Sequence, residues 1–293
     1  MPELPEVETV RRGLQELIVG KKFVGVQVYE SPKSFPNTMS DARKFLINAQ
    51  VVTVRRRAKV LLIDLNSDYT LVTHLKMTGQ LIYVSPQQRW GAGHPNNSFL
   101  HELPDKSTRV EFVFSDDSRL YFNDQRKFGW VKLVPTVEVE NIDFMRRVGP
   151  EPLEDAFTAQ QFILRLHRRR NTTIKAAILD QTVLAGVGNI YADESLWGAK
   201  IHPATRVRDV SDTQLTKLLT EIKSVMILSI EKGGSTDKNY RDAEGRKGSY
   251  LSFARVFRRE GKACPRCGSV IEKLRVAGRG THICPVCQKL PVH

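Results

Sequence analysis

Four cysteines near the C-terminal end limit how this chain can fold more than any other feature. They form two Cys-x2-Cys pairs, Cys264 with Cys267 and Cys284 with Cys287, and sixteen residues separate the pairs. This spacing is typical of a zinc site, because each pair turns tightly enough for both thiolates to face one tetrahedral ion. Four thiolates close the coordination sphere, so the pattern predicts one structural Zn²⁺ per chain. A redox pair or disulfides are the alternative interpretation of the same residues.

The net charge indicates the kind of partner. The 293 residues include 45 Lys and Arg against 32 Asp and Glu, a formal charge of +13. Nucleic acid is the commonest partner of so basic a chain, and an anionic membrane surface is the second. No apolar run reaches the ~20 residues of a membrane-spanning helix. The start MPELPEVETV does not have a signal-peptide pattern. A cytoplasmic protein with no membrane partner is therefore expected, which favours zinc over disulfides.

Apolar periodicity changes along the chain. Pro5 and Glu6 favour the first turn of a helix that Val7, Val10 and Leu14 continue to about residue 19. Residues 22–134 consist of short strand-like runs separated by turns, which predicts an antiparallel sandwich or barrel. The Gly-, Pro-, Asn- and His-rich stretch 86–106 is predicted to be a surface loop. The predicted strands cover residues 23–29, 51–55, 60–65, 71–74, 80–84, 110–114, 119–121 and 130–133.

A linker is predicted at residues 135–150, after a first domain of residues 1–134. Helical patterns follow at 159–166, 173–179, 190–196 and 211–232, with Thr158 and Ser211 as candidate N-caps. Because they contain these helices, residues 151–249 are predicted to form a second domain. The Gly-, Asp- and Lys-rich end of this domain, at 233–249, is expected to be mobile. Residues 250–293 form the cysteine module.

The cysteine module is basic and contains a hairpin signal. Residues 241–293 include twelve Lys and Arg against four Asp and Glu. Gly278 and Gly280 flank Arg279, as at a hairpin tip where the backbone approaches a partner and the arginine reaches out. An ordinary charged turn is the alternative. Zinc ribbons also bind proteins, so the module alone does not decide the function.

The N-terminus offers a second kind of chemistry. If Met1 is removed, Pro2 carries a secondary amine that can attack an aldehyde-like carbon at neutral pH. Glu3 and, one turn later, Glu6 place carboxyl groups beside this amine as candidate proton donors. Many chains begin with Met-Pro without using it, so an ordinary N-terminus is the competing interpretation.

Several blocks resemble the bacterial formamidopyrimidine-DNA glycosylases, in that family's order and over essentially the whole chain. The start MPELPEVETVRRGL is the first block, and the cysteine module with Gly-Arg-Gly-Thr-His (278–282) is the last. Between them lie Arg-Ala-Lys (57–59), His-Leu-Lys-Met-Thr-Gly (74–79), Asp-Gln-Arg-Lys-Phe-Gly (124–129), Gly-Pro-Glu-Pro-Leu (149–153) and Gly-Val-Gly-Asn-Ile-Tyr-Ala-Asp-Glu (186–194).

This resemblance implies an α+β multidomain fold: an N-terminal β-sandwich with flanking helices, a helix–two-turn–helix domain and a zinc-finger hairpin. It also implies a DNA glycosylase and AP lyase of base-excision repair, acting as a monomer on damaged double-stranded DNA held in a cleft. A damaged purine, 8-oxoguanine or a formamidopyrimidine, would be flipped out. Flipping costs a few kcal/mol, which phosphate contacts and inserted side chains must offset. Excision and β,δ-elimination would leave a one-nucleotide gap.

The same resemblance assigns catalytic roles. Pro2 would be the nucleophile on sugar C1′ that forms a Schiff base, Glu3 the general acid/base, and Glu6 an orienting residue. Lys59 would assist elimination and bind phosphate. The preceding run of arginines at 55–57 alone would indicate a solvated basic strand instead. The phosphates beside the flipped nucleotide would contact Arg279, His74 and Asn189.

Further DNA contacts are implied by two other blocks. Met77 and Phe128 match the family's apolar wedges, and Arg126 matches the residue that bonds the orphaned partner base and favours cytosine. The alternative interpretation is that Met77 and Phe128 are core residues, because Met and Phe side chains are more often buried. Arg170 and Lys175 match phosphate-contacting lysines, whereas a charge run is usually a solvated face.

The chain also departs from the family pattern. Ser107 stands where a phosphate-contacting histidine is expected, and that role is not transferred to the nearby His94 or His101. Residues 236–249 correspond to a loop that covers the flipped base in some members. Contacts to that base are a hypothesis for Thr236, Lys238 and Tyr240.

Two other functions stay open. Endonuclease VIII-like glycosylases of oxidised pyrimidines usually begin Met-Pro-Glu-Gly-Pro-Glu, and Leu4, Arg126 and Phe128 argue against that activity. A catalytically inactive zinc-ribbon DNA-binding protein is the other alternative, and the presence of Pro2, Glu3 and Lys59 argues against it.

Overall fold

The computed structural model describes residues 2–94, 97–235 and 250–291. The chain forms two compact units. The first comprises Met1–Arg146 with Lys232–Ser249, and the second comprises Arg147–Glu231 with Tyr250–His293. Residues 1, 95–96, 236–249 and 292–293 lie outside the described residues, and with them most of the expected mobile stretch at 233–249 and the hypothetical base contacts of Thr236, Lys238 and Tyr240. The domain boundaries given above stay a prediction.

Helix α1 (Leu4–Ile18) opens the first unit, as the sequence predicts. Proline lies in its first turn, where a missing N–H costs nothing, and Glu6 lies at the positive end of the helix dipole. The stripe of Val7, Val10 and Leu14 is fully buried in the main core. Gly13 permits a close approach, because a Cβ atom there would come within 2.2 Å of the Trp90 ring. The helix is thus packed tightly onto the strands that follow.

Two antiparallel sheets form the body of the first unit. One has the strand order β1-β7-β8-β5-β6 and the other β2-β3-β4-β9. Side chains from both sheets and from α1 share one core, so the predicted sandwich is confirmed. The prediction of a surface loop at 86–106 is wrong in part, because β6 pairs with β5 inside it. The strands are β1 (Phe23–Val28), β2 (Val51–Arg57), β3 (Val60–Leu65), β4 (Tyr69–His74), β5 (Gly79–Val84), β6 (Arg89–Gly93), β7 (Thr108–Phe114), β8 (Arg119–Asp124) and β9 (Trp130–Pro135).

Short helical segments connect these strands. Helix α2 (Met39–Asp41) continues into a π-helical turn (Ala42–Leu46), and 3-10 helices cover Pro32–Ser34 and Asn97–Phe99. The predicted linker at 135–150 contains a 3-10 helix (Thr136–Asn141) and helix α3 (Asp143–Arg147).

The second unit is mainly helical and ends in a β-hairpin. Thr158 caps its first helix in a capping box, and Ser211 exchanges the same two hydrogen bonds with Gln214, so both predicted caps are confirmed. Among the described residues, no helix combines the length and hydropathy needed to cross a membrane. The elements are α4 (Ala159–His167), α5 (Ile174–Leu179), α6 (Asn189–Ala199), a 3-10 helix (Val207–Asp209), α7 (Asp212–Glu231), α8 (Tyr250–Phe253), β10 (Glu272–Val276) and β11 (Arg279–Ile283).

Candidate functional site

The N-terminus of α1 brings together two of the predicted catalytic residues and the predicted orienting residue. Pro2, Glu3 and Glu6 are all buried, and Glu3 is the N-cap of the helix. The backbone N–H of Glu3 donates to Oε2 of Glu6 at 2.9 Å, as part of a capping box. Oε1 of Glu6 accepts the backbone N–H of Ser235 at 2.8 Å. Because both oxygens of Glu6 accept backbone N–H groups, its geometry suits an orienting role better than proton transfer.

Lys59 lies in the two-residue turn between β2 and β3, and its side chain is buried. Ala58 adopts a left-handed conformation, with φ of 53°, which makes the turn tight. Arg56 supports this turn by donating from Nη1 to the carbonyl of Ala58 at 2.9 Å. The same guanidinium donates to Glu8 of α1 at 3.2 Å. Arg56 therefore connects α1 to the turn that carries Lys59 through hydrogen bonds to Glu8 and Ala58.

Glu8 is held ionised at the centre of this connection. Burial would raise its pKa, but hydrogen bonds from Arg11 and Arg12 and the charge of Arg56 lower the pKa below its ordinary value. The carboxylate is therefore a fixed negative partner for Arg56 rather than a proton donor.

His74 ends β4 and is paired across the sheet with Val60, the neighbour of Lys59. Its ring lies 5.9 Å from the rings of Trp130 and Phe144. Burial, and then the charges of Lys76 and Lys59, lower the pKa of His74 to about 3. The neutral ring accepts the backbone N–H of Lys76 at Nδ1, at 3.0 Å, so its proton lies on Nε2. His74 can therefore offer a phosphate an uncharged N–H donor.

The three predicted insertion residues lie on two loops of the first unit. Phe128 is 55% exposed, so a core position is excluded for it, and Met77 is half-buried. The guanidinium of the exposed Arg126 lies 4.9 Å from the centre of the Phe128 ring. A cation next to an aromatic wedge suits contact with a base and its neighbouring stack.

Arg279 and Asn189 lie near the same end of the hairpin in the second unit. Ala277 and Gly278 form the turn, with φ of 50° and 74°, and the exposed Arg279 is the first residue of β11. The turn therefore precedes Arg279, one position earlier than predicted. Asn189 starts α6 and donates from Nδ2 to the carbonyl of Gly280 at 2.9 Å. This bond places the N-terminus of α6 beside Arg279, where N–H groups and the helix dipole favour an anion.

Lys175 has a different environment from the one predicted. Its side chain is 0% exposed, and Nζ donates to Asp193 at 2.6 Å and to Thr281 at 2.7 Å. A phosphate cannot reach this ammonium group without disrupting the interior. Arg170 is exposed, as a phosphate-binding residue should be, although it follows α4 rather than lying within it.

The four cysteine sulfurs converge on one point. The Sγ atoms of Cys264, Cys267, Cys284 and Cys287 all lie within 4.8 Å of one another, and the four thiols are unbridged. Sulfurs around a tetrahedral zinc ion with bonds of about 2.3 Å are about 3.8 Å apart, so the donor set fits Zn²⁺. Cys264 and Cys284 are buried against Trp197, which packs the module onto α6.

Ser107 does not replace the histidine expected from the family pattern. It is 2% exposed and donates to Asp105 at 2.6 Å, which stabilises the loop before β7. Of the two nearby histidines, His94 is half-buried and His101 is exposed.

Comparison with known proteins covers both units. A model described as the formamidopyrimidine-DNA glycosylase N-terminal domain matches residues 1–131. The H2TH domain of the same enzyme matches residues 148–240, and the zinc finger found in FPG and IleRS matches residues 261–290. The formamidopyrimidine-DNA glycosylase of Herpetosiphon aurantiacus is 44% identical over 292 residues, covering 98% of this chain and 100% of that protein. The chain belongs to the formamidopyrimidine-DNA glycosylase family.

Solved structures of this family have the same fold. Lactococcus lactis Fpg in complex with DNA containing an abasic site gives a TM-score of 0.86 at 33% identity, covering 98% of this chain and 99% of that one. MutM in complex with DNA containing carbocyclic 8-oxo-G gives 0.85 at 34% identity, covering 98% and 100%. Family membership confirms the predicted fold class and the structural zinc.

Proposed function

We propose that this chain is a base-excision-repair DNA glycosylase that removes oxidised purines from duplex DNA and then cleaves the abasic site. Family membership supports the glycosylase activity, and structures of relatives contain DNA with an abasic site or with 8-oxo-G. The observation that carries the proposal is the buried cluster of Pro2, Glu3 and Glu6 at the N-terminus of α1. In this proposal, removal of Met1 frees the Pro2 amine next to the carboxyl group of Glu3.

The chemistry follows from that pair. The nitrogen of Pro2 forms a bond to sugar C1′ while the bond from C1′ to the base breaks, and the base leaves with a proton. Glu3 supplies or removes protons at the sugar ring and the leaving group. The Pro2 nitrogen loses its proton, the C1′–O4′ bond breaks with protonation of O4′, and the nitrogen lone pair forms an iminium ion at C1′ of the opened sugar. Loss of a proton from C2′ breaks the C3′–O bond, and a second elimination breaks the C5′–O bond. Both phosphates depart, water hydrolyses the remaining iminium to free Pro2 and release the unsaturated sugar aldehyde, and a one-nucleotide gap remains.

The remaining roles are distributed over the two units. Lys59 assists elimination, the role implied by the family resemblance, and its neighbour Val60 pairs with His74 across the sheet. His74, Asn189, Arg170 and Arg279 bind phosphate, whereas the burial of Lys175 argues for a structural role instead. The zinc ion, bound by the four cysteines, supplies the fold of the module that holds the hairpin. We place the enzyme in the bacterial cytoplasm, as a monomer, on the basis of its bacterial relatives.

Borohydride trapping tests this proposal. The chain should give a covalent adduct with a duplex that contains 8-oxoguanine opposite cytosine, and Pro2→Gly should abolish the adduct. Mass spectrometry of the purified chain should show that Met1 is absent. If the chain forms no adduct with any oxidised-base or abasic duplex, the result favours the alternative of a catalytically inactive DNA-binding protein. If thymine glycol opposite adenine is preferred over 8-oxoguanine opposite cytosine, the substrates are oxidised pyrimidines.

A further inference from the structure

Asp124, the last residue of β8, organises the loop that follows it. Its side chain is 0% exposed, and Oδ2 accepts the backbone N–H of Gly129 at 2.6 Å. Oδ1 accepts the backbone N–H of Arg126 at 3.2 Å. One buried carboxylate therefore bonds to both ends of the segment that contains Arg126 and Phe128. Charged acceptors make stronger hydrogen bonds than neutral ones, which favours a single loop conformation.

Thr78 connects the same loop to its neighbour. Its hydroxyl donates to Oδ1 of Asp124 and accepts the backbone N–H of Arg126 at 3.1 Å. Thr78 is buried, and it directly follows Met77 in the loop between β4 and β5. The two insertion loops are 46 residues apart in sequence but share this one hydrogen-bond cluster.

The loop around this cluster contains one unfavourable backbone conformation and one very close packing contact. Lys127 has φ of 58°, a left-handed conformation that is unfavourable for lysine and that the surrounding bonds must maintain. Gly129 packs so closely that a Cβ atom would lie 2.7 Å from the Phe122 ring and 3.1 Å from Oδ2 of Asp124. By contrast, the side chains of Arg126 and Phe128 are exposed. The backbone is thus fixed from within while the two side chains face outward.

We propose that Asp124 and Thr78 are positioning residues that lock Met77, Arg126 and Phe128 into one insertion unit. This inference rests on the proposed function, because it assigns these three side chains to the gap left by the flipped nucleotide. Because these bonds order the two loops before binding, the chain avoids the entropic cost of ordering them when they enter the DNA. It also fixes the guanidinium of Arg126 relative to the orphaned base, so the lock contributes to the choice of opposite base.

Thr78→Val tests the lock with little change in shape. The valine can neither donate to Asp124 nor accept from Arg126, whereas Thr78→Ser keeps the hydroxyl. We expect Thr78→Val to lower the ratio of kcat/KM for 8-oxoguanine opposite cytosine over that opposite adenine by about tenfold, as for a weakened base contact. Thr78→Ser should restore the ratio to within about twofold of the unmodified chain. Asp124→Asn replaces one acceptor oxygen by a donor and should also lower this ratio.

Thr70→Val is the matched control. Thr70 lies in β4, is also buried, and donates to Asp64 at 2.7 Å, away from the insertion loops. This variant should keep the opposite-base ratio even if its melting temperature falls. An unchanged ratio in Thr78→Val, or equal losses opposite both bases, would overturn the lock while leaving the glycosylase intact. If the unmodified chain excises 8-oxoguanine opposite neither base, the proposed function itself has failed.

Discussion

Lys175 and Asp193 form a fully buried ion pair, with Nζ of Lys175 2.6 Å from Oδ1 of Asp193. The second oxygen of Asp193 accepts the backbone N–H of His282, in β11, at 2.9 Å. Lys175 lies in α5 and Asp193 in α6, so the pair joins two helices to the strand that starts at Arg279. The ammonium group of Lys175, for which the family resemblance predicts a phosphate contact, therefore orients the hairpin from the protein interior.

Replacing Lys175 by Met should destabilise the second unit. The variant keeps the length of the side chain but leaves the carboxylate of Asp193 buried without its cation. We expect the free energy of unfolding to fall by about 3–5 kcal/mol. Urea unfolding measures this loss. Arg170→Met, at an exposed position, is the control and should change stability by less than about 0.5 kcal/mol. Equal stability of the two variants would contradict the structural role of Lys175.

His74 should make stability depend on pH in mildly acidic solution. Its pKa is about 3 in the folded chain and 6.5 in the ordinary state, so between these values the unfolded chain binds more protons. Stability should therefore rise with pH by about 1.4 kcal/mol per unit in this window, and the contribution is complete above pH 6.5. His74→Gln should remove this slope between pH 4 and 6. The exposed His101→Gln should retain it, and a retained slope in His74→Gln would show that another group titrates.

The elements with strong periodicity were predictable from sequence alone. The predicted helix at the N-terminus ends within one residue of α1, because its apolar stripe and its first-turn proline agree. Strand β6 was missed, since Gly91 and Gly93 make its composition look like a turn. What makes it a strand is tertiary: Trp90 is 2% exposed and packs against Gly13 of α1.

The candidate site was only partly predictable for a similar reason. Family blocks predict which residues contact DNA, but the residues that position them act through partners distant in sequence. Thr78 lies 46 residues from Asp124, and Lys175 lies 106 residues from Thr281. Local patterns cannot show these pairs, so the family resemblance predicts a phosphate contact for Lys175 and gives Asp124 no role.

Glu3→Gln should suppress base excision while leaving folding and DNA binding largely intact. The amide can still accept a hydrogen bond at the N-cap but can neither donate nor take up the catalytic proton. We expect excision of 8-oxoguanine to slow by about 10²–10⁴-fold, the usual contribution of general acid–base catalysis. Single-turnover kinetics measure the loss. Glu16→Gln, at an exposed position of α1, should leave the rate unchanged. Normal excision by Glu3→Gln would remove Glu3 from the mechanism.

Arg279→Ala should damage DNA binding and catalysis while sparing the zinc site. Arg279 is exposed at the start of β11, and the cysteine sulfurs converge without it, so the metal should stay bound. The loss of one phosphate contact should lower the slope of log K against log salt concentration by about 0.9. Salt titrations of binding and elemental analysis of zinc measure the two effects. Arg275→Ala, on the opposite strand of the hairpin, controls for the loss of one charge and should weaken binding less. If Arg279→Ala lost its zinc, the arginine would be structural, because a phosphate ligand has no reason to hold the metal.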